Sequence, residues 1–144
     1  MNDIITNISA ILKESGNQEV YTVYDAQSVR DKGKYFTVVG IKSFKPHIPL
    51  YTDTMMYIFV DAEAEITVIS PKGSTEEQLY DYYIANIEMP LSKILGINSS
   101  IQSIDYGTDH TTGRLKLTII LRTEAVQKFP LEGESGEYGS TYNT

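Results

Sequence analysis

Cysteine is absent from this chain of 144 residues, and so is tryptophan. Without cysteine there is no disulfide framework, no thiol nucleophile and no cysteine-based metal site. Most of the stability must therefore come from the packing of one hydrophobic core, with association as a further source.

Basic residues are scarce. The chain carries 12 Lys and Arg residues against 19 Asp and Glu residues, which gives a formal net charge of −7. Because proteins hold a phosphate backbone by neutralising it with cations, sequence-specific binding of nucleic acid is not expected. The 11 tyrosines do not change this expectation. No basic residues cluster around them as they do in stacking platforms.

Long apolar runs are missing as well. No stretch of about 18 apolar residues occurs, so we expect no membrane-spanning helix. Residues 1–3 lack the basic flank of a secretory signal, which favours a cytosolic product.

What remains is ordinary globular composition, 41% hydrophobic and 22% charged, and the length predicts one domain. We expect residues 1–130 to form a single α+β domain. Residues 131–144 are rich in Gly, Ser and Glu and contain no basic residue, so a flexible acidic tail is expected there. The predicted order is α-β-β-β-α-(α)-β-β, an antiparallel or mixed sheet with helices packed on one face.

The first elements are predicted from periodicity and composition. Residues 3–15 place isoleucine and leucine at helical spacing, which predicts an amphipathic helix. Residues 20–29 and 35–44 are rich in β-branched and aromatic side chains, which predicts two strands. Residues 31–34 between them (DKGK) are typical of a hairpin turn.

The later elements follow from capping and turn signals. A second helix is predicted to begin at Ser74 as N-cap, with Glu77 completing a capping box. Pro90 should kink or stop that helix. Two further strands, at residues 100–106 and 114–122, are predicted to form a closing hairpin.

The longest strand pattern runs from Met55 to Ile69. Its even-numbered positions are apolar throughout, whereas its odd-numbered positions change from apolar to acidic halfway. The apolar odd positions are Met55, Tyr57 and Phe59, and the acidic ones are Asp61, Glu63 and Glu65. We expect a strand whose face changes character halfway to leave the core and continue into solvent or a partner.

Residues 45–53 contain Pro46 and Pro49, which interrupt a strand ladder, so this segment is predicted to be a loop. It also carries the apolar side chains Ile48, Leu50 and Tyr51. An apolar loop stiffened by proline is a candidate contact element.

Catalytic signals are weak. His47 and His110 lie far apart in sequence, and the pair Asp109-His110 offers only two of the three or four groups that a metal site needs. No nucleophile motif and no phosphate-binding glycine loop is present. We therefore expect no enzyme activity, no cofactor and no bound metal.

The carboxylates Asp61, Glu63 and Glu65 are the one set that invites chemistry, either calcium binding or acid–base work. Neighbours spaced by two along a strand are roughly 7 Å apart, and no glycine-rich ligand loop accompanies them. We interpret them as a solvated or lumen-facing acidic stripe.

The succession of a helix, antiparallel strands, a second helix and a closing hairpin that ends in the alternating strand LKLTIIL resembles bacteriophage tail-terminator and tail-completion proteins. The resemblance covers residues 1–128 and is one of pattern, without a diagnostic motif. It implies a structural protein that forms a ring, usually a hexamer, caps the tail tube and ends its polymerisation. It also implies synthesis in the bacterial host cytoplasm and assembly into a phage or a phage-like contractile particle.

On this resemblance the partners are other copies of the chain, the tail-tube protein and sheath or neck proteins, with DNA passing through the ring. The implied contact residues are Ile48, Leu50, Tyr51, Met55, Tyr57 and Phe59. The implied lumen residues are Asp61, Glu63 and Glu65, where like charge would repel DNA.

Two alternatives stay open. A tail-tube protein or a head–tail connector would have a similar architecture. A small ligand-binding or enzymatic α+β domain would instead use the carboxylates Asp61, Glu63 and Glu65.

Overall fold

The computed structural model describes residues 2–14, 19–23, 33–96 and 98–131. Its helical elements are α1 (Asn2–Lys13), α2 (Glu76–Tyr83), a π-helical turn (Ile84–Glu88) and the short helix α3 (Met89–Leu91). Its strands are β1 (Glu19–Thr22), β2 (Phe36–Pro46), β3 (Leu50–Tyr51), β4 (Met55–Ile69), β5 (Ser99–Thr108) and β6 (Leu115–Pro130). The predicted tail, apart from Leu131, lies outside the described residues.

The strands form one mixed sheet in the order β1-β2-β4-β6-β5, with β3 also paired to β4. Strand β1 runs parallel to β2, and the other described pairs are antiparallel. The helices pack on one face, which we call the inner face. The predicted α+β class with helices on one face is therefore confirmed, and so is the closing hairpin of the last two strands.

The core lies between the inner face and the helices. Helix α1 contributes Ile5, Ile8 and Leu12, which share a face because they are three and four residues apart. Strands β4 and β6 meet them with three directly paired couples, Ala64 with Leu121, Ile66 with Ile119 and Val68 with Leu117. All six of these strand side chains are fully buried.

The start of α2 differs from the prediction by one residue. Thr75, not Ser74, is the N-cap: the Gln78 amide donates to Thr75 Oγ1 at 3.1 Å, and the Thr75 amide donates to Gln78 Oε1 at 3.0 Å. The segment STEEQ contains two overlapping Ser/Thr–x–x–Glu/Gln frames, and local sequence does not distinguish them. The structure uses the frame that fully buries Leu79.

Pro90 does not stop the helical run. The residues before it widen into the π-helical turn, and α3 then carries Pro90 in its first turn. A proline inside a helix lacks its N–H and clashes with the carbonyl four residues back. A wider turn upstream of Pro90 is one way in which a chain relieves that clash.

The predicted hairpin between the first two strands is wrong. Because β1 and β2 are parallel, the chain must return to the opposite end of the sheet between them, which a tight turn cannot do. Strand β1 ends at Thr22, whereas the prediction extended it to residue 29. Residues 24–32 lie outside the described residues.

Two strand limits were also predicted wrongly. Strand β6 continues to Pro130 rather than ending at Arg122, because β4 offers it a pairing partner along its whole length, from Ile69 to Met55. The predicted loop 45–53 instead contains the end of β2 and all of β3. Strand β4 itself, Met55–Ile69, is confirmed.

Candidate interaction surface

Strands β4 and β6 extend beyond the rest of the sheet. Strand β5 pairs with β6 only as far as Thr123, whereas the ladder of β4 and β6 continues to the pair Met55 and Pro130. On the other side of β4, the end of β2 and then β3 complete a three-stranded extension. We call its residues, 45–51, 55–61 and 124–130, the arm. In the described part of the chain, no arm residue belongs to either hydrophobic cluster, although Val60 at the root of the arm is only 1% exposed.

Large apolar side chains are exposed along the arm. The exposed fraction is 85% for Ile48, 57% for Leu50, 65% for Tyr51, 45% for Phe59 and 41% for Val126. Side chains of this size prefer to be buried, by roughly 1.5–3 kcal/mol each. Their concentration on one projection makes the arm a candidate contact surface.

The backbone of the arm is well paired. The His47 amide donates to the Phe59 carbonyl at 2.8 Å, where β2 passes into the segment before β3. At the tip, the Thr52 amide donates to the Met55 carbonyl at 2.8 Å, and the Leu131 amide donates to the Thr54 carbonyl at 2.8 Å. The exposed apolar side chains are therefore carried on an ordered backbone.

All six contact residues suggested by the sequence lie on the arm: Ile48, Leu50, Tyr51, Met55, Tyr57 and Phe59. Met55 and Tyr57 are partly buried, and the other four are exposed. Residues on β6 were missed, although Val126 lies directly beside Phe59. The weak alternation of residues 123–129 was the available signal, and it predicts a strand only once a long β4 is known to lie beside it.

The sequence predicted that the long strand leaves the core but did not specify which half does so. The half with Glu63 and Glu65 runs over the helices, and Asp61 lies at the root of the arm; all three acids occupy the outer face, opposite the helices. The half that is apolar on both faces forms the arm. An outer acidic row is compatible with a buried inner row because successive strand residues face opposite sides.

The three acids on the outer face do not act as a set. Asp61 Oδ2 lies 2.7 Å from His47 Nε2, and Asp61 Oδ1 lies 3.5 Å from Arg122 Nη2. Glu63 accepts a hydrogen bond from Ser43 Oγ at 2.9 Å, and Glu65 is exposed. Ion pairs at half-exposed positions contribute little stability, so these contacts mainly orient the side chains at the root of the arm.

Arg122 joins the two long strands at that root. Besides Asp61, its guanidinium contacts Glu124 Oε2 at 2.6 Å. His47, Asp61, Arg122 and Glu124 therefore form one chain of polar contacts on the outer face. The sequence placed two of these four residues in unrelated segments, a proline loop and the end of the last strand, and did not predict the network.

His110 is exposed, and its neighbour Asp109 accepts hydrogen bonds from the Thr112 amide at 3.0 Å and the Thr112 hydroxyl at 2.6 Å. Asp109 thus closes the turn before β6. Within the described ranges, no group of three His, Cys, Asp or Glu side chains is placed to hold a metal ion. None of the described helices has the length and apolar character to cross a bilayer.

Two tyrosines of α2 pack in the helix-covered half, where Tyr83 is buried and Tyr82 is partly buried. Burial raises the pKa of Tyr82 to about 12, and its ring stacks on Tyr35 with the centroids 4.0 Å apart. Burial, and then the Glu88 carboxylate, raise the pKa of Tyr83 well above its usual value. The Tyr83 hydroxyl donates to Glu88 Oε1 at 3.1 Å. Both phenols stay protonated near neutral pH.

No family model matches this chain, and no curated protein matches it. Two similar solved structures come from the type IV pilus system of Pseudomonas aeruginosa. The core region of PilO is 11% identical, with 74% of this chain and 91% of that chain covered and a TM-score of 0.30. The fimbrial biogenesis protein PilO is 9% identical, with 88% of this chain and 69% of that chain covered and a TM-score of 0.29.

These matches contradict the resemblance to phage tail terminators, since they are pilus biogenesis proteins. The tail-capping ring, the tube and connector alternatives and the lumen role of Asp61, Glu63 and Glu65 are withdrawn with it. The catalytic alternative gains no support from the comparisons. At TM-scores of 0.30 and 0.29, the likeness to PilO carries no argument about function either.

Proposed function

We propose that this protein is a non-catalytic assembly domain that associates with further copies of itself through the arm. The observation that carries the proposal is the exposure of Ile48, Leu50, Tyr51 and Phe59 on a projection with a hydrogen-bonded backbone. Packing in the core does not explain why these positions are apolar, because the four side chains lie outside the hydrophobic clusters of the described residues.

A protein partner suits the arm better than a small molecule. Its exposed side chains stand on a narrow projection, whereas small-molecule sites are concave and enclose most of the ligand. Aromatic and aliphatic side chains at the centre, with charges such as those of Asp61 and Arg122 around them, are typical of a protein interface.

The proposal is tested by sedimentation of the intact chain over a range of concentrations. We expect concentration-dependent association of the parent protein. The double substitution Ile48→Ser and Leu50→Ser should weaken association by at least about tenfold, because it removes two exposed apolar contacts worth roughly 1 kcal/mol or more each.

The matched control is Met89→Ser, because Met89 is 64% exposed but lies on α3, away from the arm. This variant should associate like the parent. A parent protein that stays monomeric up to roughly millimolar concentration, the range of very weak complexes, would overturn the proposal. Equal weakening by the control would show that another surface is used.

A further inference from the structure

The outer face of the arm carries two rows of side chains that pair directly across β4 and β6. Tyr57 pairs with Lys128, Phe59 with Val126, and Asp61 with Glu124. The ladder of β4 and β6 has no register shift, so these side chains lie on one face at a regular spacing of roughly 7 Å along each strand.

The arrangement is symmetric about its middle couple. Phe59 and Val126 are apolar and are 45% and 41% exposed. Along β6, Lys128 lies two residues toward the tip from Val126 and Glu124 lies two residues toward the root. One cation and one anion therefore stand at equal distances on either side of an apolar centre.

A two-fold axis that crosses the strands at the level of Phe59 and Val126 brings two such faces together. The rotation lays β4 over β4 and β6 over β6 with the strand directions reversed. Phe59 and Val126 then meet their own copies, whereas Lys128 of each copy lies over Glu124 of the other. Tyr57 lies over Asp61 in the same way, which offers a phenol to a carboxylate.

We infer that the partner of the arm is a second copy of this chain, packed outer face to outer face about this two-fold axis. The inference rests on the proposed self-association and specifies its geometry. It commits to a closed dimer, because a two-fold contact uses the same patch on both copies and leaves no open end.

Charge selects this centre over its neighbours. A two-fold axis two residues closer to the root would place Asp61 and Glu124 over their own copies. An axis two residues closer to the tip would place Lys128 over its own copy. Like charges held opposite each other at an interface are costly, so the couple Phe59 and Val126 is the favoured centre.

The expected division of energy follows from burial. Phe59 and Val126 would be desolvated at the centre and would carry most of the affinity, as apolar anchors do. The Lys128–Glu124 contacts would lie at the rim, where charges determine register and specificity more than affinity. Two aligned sheets pack about 10 Å apart, a distance that lysine and glutamate side chains span together.

The decisive experiment exchanges the two rim charges. Lys128→Glu alone and Glu124→Lys alone each place like charges over one another twice in the dimer, and each should raise the dimer Kd by roughly tenfold or more. The double variant restores opposite charges and should bring the Kd back to within about threefold of the parent value. Dimerisation is measured by sedimentation equilibrium of the intact chain.

The control is Lys116→Glu, the same change on the outer face of β6 but opposite Ile69 and far from the arm. It should leave the Kd unchanged. Because Glu124 also contacts Arg122 within the chain, the thermal unfolding of each variant is recorded to confirm that it is folded.

The outcomes separate the two proposals. A parent protein that dimerises while the double variant stays as weak as the single ones would overturn the two-fold register and leave self-association standing. A monomeric parent protein would overturn both. Parent-like dimerisation of Lys128→Glu would also contradict the register, because its two like-charge contacts would then have no effect.

Discussion

The helix-covered half of the sheet and the arm are built from the same two strands. In the covered half, the inner positions of β4 (Ala64, Ile66 and Val68) are fully buried. In the arm, Val60 at the root is still buried, whereas the inner positions Met56 and Ile58 nearer the tip are only partly buried and Phe59 on the outer face is exposed. The alternation of the strand is the same in both regions. The difference is the cover that the helices provide, which ends at the root of the arm, beside Val60 and Ala125.

This comparison separates two sources of order. The covered half is held by close packing, in which each side chain touches several others. The arm is held mainly by its backbone ladder and by the hydrogen bonds at its tip, such as Leu131 to Thr54. A region with few buried contacts has low local stability. Apolar side chains there therefore add little to the stability of the fold, and the proposed self-association would account for them.

The largest expected effect compares one leucine from each region. Leu121→Ala should lower the free energy of unfolding by about 2–5 kcal/mol, because Leu121 is fully buried and a cavity would remain. Leu50→Ala should change it by no more than about 0.5 kcal/mol. Urea denaturation at low protein concentration measures both. If the two variants lost the same free energy of unfolding, the arm would be as tightly packed as the helix-covered half, contrary to this comparison.

A second prediction tests crowding on the outer side of the covered half. A Cβ on Gly40 would lie 2.5 Å from Val23 Cγ1, so Gly40→Ala should cost about 1–3 kcal/mol by overpacking. Adding Val23→Ala should recover most of this loss. Gly96→Ala is the control, because nothing lies within 4 Å of a Cβ there. If Gly40→Ala changes the free energy of unfolding only slightly, and Val23→Ala does not alter that change, the side chain of Val23 moves aside at little cost.

The capping of α2 provides a smaller and closely matched test. Thr75→Ala should destabilise the protein by about 1 kcal/mol, since the Gln78 amide loses its acceptor. Ser74→Ala, one residue away, should stay within about 0.5 kcal/mol. Thermal unfolding of the two variants decides which residue is the N-cap. The reverse order would support the frame predicted from the sequence.

The smallest effect is expected at the root of the arm. Asp61→Asn removes the carboxylate that lies near both His47 and Arg122, yet the loss should not exceed about 1 kcal/mol because these groups are half-exposed. The loss should shrink further in high salt. Glu65→Gln, at an exposed position on the same face, serves as the reference. A large, salt-independent loss at Asp61 would mean that the network stabilises the arm.

Part of the fold follows from local pattern. The limits of β4 were predictable because strict alternation over a long segment is a strong signal. The end of β6 was not, since TEAVQKF alternates weakly and becomes a strand through pairing with β4. The direction of β1 relative to β2 was also not predictable, because the sequence pattern of a short strand is the same whether its neighbour is parallel or antiparallel.

The candidate site shows the same division. Its apolar residues on β4 and in the segment before it were recognisable as a block. The contributions of Val126, Lys128 and Arg122 were not recognisable. These residues are distant in sequence from the β4 residues of the site and come close to them only because β4 and β6 are adjacent strands. The prediction of a phage tail terminator failed for a related reason. An order of helices and strands without a diagnostic motif is shared by many unrelated proteins.

The sequence by itself determined the α+β class and the apolar row of β4 that faces the helices, because these depend on composition and on period along a single segment. Only the tertiary structure decided where the sheet extends beyond its helices and which residues of β6 lie beside Phe59. Those features depend on the lengths of separate elements and on the register between distant strands. The apolar side chains of a strand are buried under a helix and exposed beyond it, and the strand alone does not contain that difference.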